Sequence, residues 1–165
     1  MSDHIAVMNG GRIEQVAPPR VLYEEPTTAF VAEFLGVSNL MEARATGPSG
    51  QGVALQLGVG IVVEARRGDV AARGAVKVVI RPERVEILPA GASGSNRIAA
   101  TVTRSVYLGN AVRVIVHLPT GQSIVALVAN SGEDKTPNWN PGTSVLCHLP
   151  PTAMRVLPTT PSVQN

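Results

Sequence analysis

The period of the hydrophobic positions changes near residue 37. Before it, Ile5-Ala6-Val7-Met8 forms a short apolar run, Asn9-Gly10-Gly11 is a strong turn, and Arg12-Ile13-Glu14-Gln15-Val16 alternates, which predicts a β-hairpin. Pro18-Pro19 opens a short helical turn through Tyr23, and Pro26 stops it. Thr27 or Thr28 then caps a second helix that carries Phe30, Val31, Phe34 and Leu35 on one side and ends at Gly36. Both helices fall short of the roughly 12–15 residues that are marginal in isolation, so they need a surface to pack on.

Beyond residue 37 the period is two. Val53, Leu55, Leu57 and Val59 alternate, then Ile61–Ala65, then Val76, Val78 and Ile80 before Arg81-Pro82-Glu83, and Val85 and Ile87 resume. Pro89 to Asn96 has the composition of a flexible loop. Ile98, Ala100, Val102, Val106 and Leu108 share a face, Gly109-Asn110 turns the chain, and Val112, Val114, Val116 and Leu118 share the next face. Pro119-Thr120-Gly121 turns into Ser123–Ala129. A last strand places Val145, Cys147 and Leu149 inward, and Met154–Leu157 adds an edge before a Pro/Thr/Ser tail. Short strands at roughly 8–12-residue spacing predict a small barrel or sandwich rather than a βαβ fold.

Composition supports strands and narrows the function. Among 165 residues, 24 are valine, 16 glycine and 13 proline, a mixture that favours short strands joined by turns. Apolar residues make up 44% and charged residues 16%, which excludes a disordered tail. The aromatics are Tyr23, Phe30, Phe34, Tyr107 and Trp139, too few for a platform that stacks bases. The net charge is +2, and Arg66-Arg67 is the densest basic cluster, so no electrostatic footprint for nucleic acid is present. Cys147 stands alone, which excludes an internal disulfide and a cysteine-rich metal site. No apolar run reaches the roughly 18 residues of a membrane span, and the N-terminus lacks a secretory signal pattern, so an intracellular protein is expected.

The search for chemistry returns little. No Gly-x4-Gly-Lys-Ser/Thr loop occurs, and Gly47-Pro48-Ser49-Gly50-Gln51-Gly52 reads as a flexible linker. His4, His117 and His148 are scattered, no spacing joins them to Cys147 as a metal site, and no nucleophile-elbow sequence is present. Arg81-Pro82-Glu83 supports two readings. One is a stiff corner with a surface ion pair worth at most about 1 kcal/mol; the other is an arginine-presenting loop for a partner or anionic ligand.

A family resemblance then enters. The string Ser2-Asp3-His4-Ile5-Ala6-Val7-Met8-Asn9, Gly11, Ile13, Gln15, followed by Pro18 or Pro19, Leu22-Tyr23, Pro26, Phe30-Val31-Ala32, Phe34-Leu35-Gly36 and Asn39, resembles the end of the nucleotide-binding domain of ATP-binding cassette (ABC) importers. Val79-Ile80-Arg81-Pro82-Glu83 resembles the family's Val-Arg-Pro-Glu signature. Tyr107-Leu108-Gly109 and Val145 through Val156-Leu157 resemble its C-terminal accessory region, called TOBE. Within the branch, the spacing is most similar to the spermidine/putrescine type. His148-Leu149 departs from relatives that carry tryptophan before the proline, and His4 stands where relatives commonly carry arginine.

The resemblance implies a mainly β fold: a small OB-fold-like (TOBE/MOP-like) barrel preceded by a β-hairpin and two short helices. It implies a remnant of a nucleotide-binding domain over 1–36 and a regulatory TOBE domain with a flexible C-terminal tail over 37–165. The family's phosphate loop, signature motif and switch histidine all lie upstream of the position matching Ser2, so this chain is expected to hold no cofactor and catalyse nothing. ATP and magnesium belong to the full-length parent, which couples hydrolysis to import. The implied partners are a second copy of the chain and, through the parent, permease subunits at the cytoplasmic face of the membrane; no nucleic acid is among them. Candidate contact residues are those off the inward face near turns: Arg81, Glu83, Tyr107, Asn110 and Arg113. The alternative is a free-standing module binding an oxyanion such as molybdate or sulfate through backbone N–H groups of Gly- and Ser-bearing turns. Phe30, Val31, Phe34, Leu35 and Ile5–Met8 are expected to be left open and to dock residues 1–36 on a second copy.

Overall fold

A computed structural model describes residues 2–36, 38–130 and 139–158. Strands β1 (Ile5–Asn9) and β2 (Arg12–Ala17) form the hairpin, followed by helices α1 (Pro19–Glu24) and α2 (Ala29–Phe34). Asn9 pairs with Arg12, leaving a two-residue loop whose Gly10 and Gly11 both have positive φ, +53° and +79°, as a type I′ turn requires. Thr28 is the cap of α2, its hydroxyl accepting from the Val31 N–H at 3.2 Å. The two helices have 6 residues each and are held by packing. Val7, Ala17, Leu22 and Val31 form a small core, while Ala32 packs with Val79 and Leu157 of the barrel. This corrects the expectation that Val31 and the Ile5–Met8 run lie wholly open, since Val31 and Val7 are fully buried within the chain.

The remaining strands are β3 (Asn39–Ser49), β4 (Gly52–Gly58), β5 (Ile61–Ala65), β6 (Arg67–Gly68), β7 (Gly74–Ile80), β8 (Glu86–Pro89), β9 (Arg97–Tyr107), β10 (Ala111–His117), β11 (Ser123–Ala129), β12 (Ser144–His148) and β13 (Arg155–Val156). They form two curled sheets, ordered β5-β4-β3-β7-β13-β6 and β11-β10-β9-β12-β8. The mainly β, OB-like fold is as expected, and its topology is a duplication. In each half a long strand starts a three-strand meander, a fourth strand returns beside the first, and a fifth crosses to complete the other half's sheet. The core lies between the sheets, where Leu55, Val78, Ile80, Val114, Ile124 and Cys147 are fully buried.

Side-chain amides close the edges. Asn39, at the start of β3, accepts from the Val125 N–H at 2.7 Å and donates to the Val125 carbonyl at 2.8 Å, so it acts as an extra strand on the outer edge of β11. Asn96, just before β9, does the same to Glu64 on the outer edge of β5, at 2.8 and 2.7 Å, and also donates to the Leu149 carbonyl at 2.8 Å. The two asparagines occupy matching positions of the halves, each after a serine, Ser38 and Ser95. Gln122 adds a third tie, accepting from the Glu42 N–H at 2.9 Å and donating to its carbonyl. The outer edges of β5 and β11 are thereby partnered at Glu64 and Val125.

Several periodic assignments give way to turns. Val59 is fully exposed because it sits in the β4–β5 turn rather than on the inward face. A bulge between β9 and β10, at Ile115/Val116, breaks the face that was to continue from Val102, and Leu108 is exposed. The Gly47–Gly52 segment is the β3–β4 hairpin, with Pro48 paired to Val53, not a linker. Asn96, assigned by composition to a loop, is buried, with φ +55°. The added C-terminal strand β13 lies between β7 and β6 rather than at an edge. Gly68 permits that approach, since a Cβ there would meet the Val156 carbonyl oxygen at 1.9 Å. The tail from residue 159 lies outside the described residues.

Truncating Asn39 or Asn96 to alanine leaves edge groups unsatisfied and is expected to cost about 2–4 kcal/mol each in urea unfolding. Asn96→Gly keeps the left-handed backbone and should be about 1 kcal/mol less damaging than Asn96→Ala; equal losses would refute the conformational part of the account.

Candidate functional site

The junction between the hairpin–helix segment and the barrel is built at the end of β7. Pro82 ends the strand and starts a 3-10 turn over Pro82–Arg84, and it holds Arg81 extended at φ −74°, ψ 141°. Arg81 is 8% exposed, and its guanidinium carbon lies 3.8 Å from the centroid of the Tyr23 ring, while its Nη1 donates to Ser38 Oγ. Two residues on, Glu83 Oε1 accepts from the Tyr23 hydroxyl at 2.9 Å. The turn therefore grips one tyrosine by its face and its hydroxyl. A desolvated cation–π contact of this kind is worth up to about 2 kcal/mol, against roughly 0.5–1 for an exposed one.

Electrostatics follow from burial. Burial raises the Tyr23 pKa, and the hydrogen bond and negative charge of Glu83 raise it further, against the opposing charge of Arg81. Burial pulls the Arg81 guanidinium below its ordinary value, while the charges of Tyr23 and Glu83 oppose that loss. Arg67 reaches Glu25 at 3.4 Å, a half-exposed ion pair of small energy. Gln15 orders the segment between the helices, donating to the Glu25 carbonyl and accepting from the Thr27 N–H, each at 3.0 Å.

A cavity of about 430 Å³ opens beside this junction, between Tyr23 and Glu24 of α1, the Arg81–Arg84 turn and the loop from Pro150 to Arg155.

The five candidate contact residues separate into three places. Arg81 and Glu83 meet at Tyr23, and Arg81 is turned inward; this corrects its assignment as an outward-facing contact. The stiff corner of the first reading is present, but both charged groups engage the tyrosine instead of forming a surface ion pair or presenting the arginine outward. Tyr107 and Asn110 lie at the exposed end of the β9–β10 hairpin, where Asn130 donates from its side chain to the Tyr107 hydroxyl at 3.0 Å and from its backbone to the Asn110 carbonyl at 2.9 Å. Arg113 is exposed and lines a separate cavity of about 240 Å³ with Ser38, Asn39 and Pro82.

His117 is exposed and His148 lies 2.7 Å from Glu86. Burial pushes the Cys147 thiol up to about 12, so it is a core group rather than a nucleophile. Among the described residues no three His, Cys, Asp or Glu side chains are grouped to hold a metal ion. No described helix is long and apolar enough to cross a membrane. Sequence reasoning missed Tyr23 and Ser38 as members of the site. Their only signals were the scarcity of aromatics and the two charges flanking Pro82, since the partners stand 60 and 43 residues apart.

A family model for the TOBE domain matches residues 78–157. The spermidine/putrescine import ATP-binding protein PotA of Rubrobacter xylanophilus is 39% identical over 140 residues, covering 81% of this chain and 35% of the relative. PotA of Nitrosomonas eutropha is 32% identical over 160 residues, covering 95% of this chain and 44% of the relative. The chain thus spans less than half the length of these relatives. A solved structure of the cytoplasmic molybdate-binding protein ModG has a similar fold, with a TM-score of 0.60 and 17% identity over 73% of this chain and 96% of that one.

Because the Tyr23 pKa is raised, its proton contributes stability that is complete below the unfolded value of about 10 and is lost as pH rises through the higher folded value. Absorbance titration should show one tyrosine ionising late, and Tyr23→Phe should abolish that phase. Tyr23→Phe is expected to cost about 1 kcal/mol, and Arg81→Met more, in chemical unfolding.

Proposed function

We propose that this chain, whose residues 78–157 match the TOBE domain family, is the regulatory and assembly module of the ATP-binding subunit of a polyamine-type ABC importer. The observation that carries this reading is the junction: a residue pair flanking a proline in the barrel holds Tyr23 of the hairpin–helix segment. That arrangement couples the position of residues 1–36 to the barrel through a small number of polar contacts.

The outer face of the hairpin supplies the second half of the coupling. Ala6, Met8, Ile13 and Val16 all face outward, and Met8, Ile13 and Val16 are 55%, 62% and 52% exposed. A shift in register after Val7 turns Ile13 to lie opposite Met8 on this face. An apolar face of this kind is suited to packing on the nucleotide-binding portion of a full-length protein. The chain carries no Gly-x4-Gly-Lys phosphate loop. ATP and magnesium chemistry is assigned to that longer protein, working at the cytoplasmic face of the membrane with its permease subunits. In the isolated chain the same face is open to a second copy, and a homodimer is the proposed state.

Two measurements test this. Light scattering at high concentration is expected to give a dimer that Met8→Lys with Ile13→Glu converts to a folded monomer; a monomeric wild type would sink the dimer. Exchanging the C-terminal part of a PotA-type protein for this chain should preserve ATP hydrolysis and spermidine uptake, with Arg81→Met lowering uptake severalfold. Uptake that survives removal of residues 38–165 from the chimera unchanged would remove the regulatory reading.

A further inference from the structure

We propose that the cavity beside Tyr23 is a binding site for a small multivalent anion of the phosphate or carboxylate class, held chiefly by Arg84 and Arg155. Four guanidinium groups, from Arg67, Arg81, Arg84 and Arg155, share this wall with three carboxylates. Each carboxylate is already engaged. Glu24 accepts from Arg20 Nε at 2.9 Å, Glu83 from the Tyr23 hydroxyl at 2.9 Å, and Glu86 lies 2.7 Å from His148 Nδ1. Of the arginines, Arg67 reaches Glu25 and Arg81 stacks on Tyr23.

Arg84 and Arg155 have no carboxylate partner among the described residues, and Arg155 Nε is buried without a hydrogen-bond acceptor there. A buried donor without an acceptor is costly, and a planar guanidinium fork matches the oxygens of phosphate and carboxylate. The volume of about 430 Å³ is within the range of small-molecule sites. A polyamine has the wrong charge for these two groups. The site is distinct from the Gly- and Ser-bearing turns that an oxyanion module would use. Because α1 forms one wall and the barrel the others, a bound anion bridges the hairpin–helix segment to the barrel.

The test uses the whole chain with inorganic phosphate and citrate as probes, at constant ionic strength set with sodium chloride. Calorimetric titration is expected to give saturable binding of at least one probe, with a matching rise in melting temperature. Arg84→Gln and Arg155→Gln should each weaken it about tenfold or more, whereas Arg104→Gln, at an exposed position of β9 outside this cavity's lining, should leave it unchanged. Arg155→Gln should unfold no more easily than wild type without anion, which separates lost binding from lost folding. Phosphate binding without citrate binding would assign the site to phosphate, and the reverse to carboxylates. No saturable binding, equal binding by the Arg84 and Arg155 variants, or binding only of an acidic peptide such as oligoglutamate would overturn the proposal.

Discussion

Two asparagine amides hold the two sheets in register. Asn39 and Asn96 each pair with the backbone of the other sheet's edge strand, at distances between 2.7 and 2.8 Å. An amide side chain carries the same donor and acceptor as a peptide group, so it extends a ladder by one residue where no strand is available. Without it, β5 and β11 would each present edge groups at the seam where the sheets must close. The halves are also interlocked by exchange of their fifth strands, β8 pairing with β12 and β13 with β7.

The junction with the N-terminal segment follows from that closed barrel. Pro82 sits where β7 leaves its sheet, so the direction of Arg81 is set by backbone geometry rather than by a flexible loop. Ser38, next to the edge-closing Asn39, receives a hydrogen bond from Arg81. The contact that closes the barrel and the contact that holds Tyr23 are thus adjacent along the chain. A change in the docking of residues 1–36 acts on this turn through Tyr23, and the anion cavity opens on the same wall.

The geometry suits the proposed role of a module that links the position of residues 1–36 to the barrel. Its thiol is locked in the core, its rigid element is a valine-rich barrel, and its open apolar surface lies on the hairpin rather than in a cleft. Such surfaces serve association.

Local signals in the sequence were sufficient for the element types, because they rest on short-range physics. Asn9-Gly10-Gly11 specified the hairpin turn, the threonine pair Thr27-Thr28 the cap that Thr28 supplies, and the alternation at Val112–Leu118 the buried face. Val59 failed because alternation continues by chance into a turn. The Ser2–Asn39 string carried the family resemblance, and the Arg81-Pro82-Glu83 motif marked half of the junction. Its other half was invisible, because Tyr23 and Glu83 meet across 60 residues and an arginine's direction depends on which ring is brought beneath it. The duplication was nearly as hidden, since it lies in strand order and leaves only the Ser38-Asn39 and Ser95-Asn96 pairs as a trace in residue identity. Turns, caps and faces were written into neighbouring residues, whereas the burial of Arg81, the role of Asn96 and the arginine-lined cavity required distant backbone segments to converge.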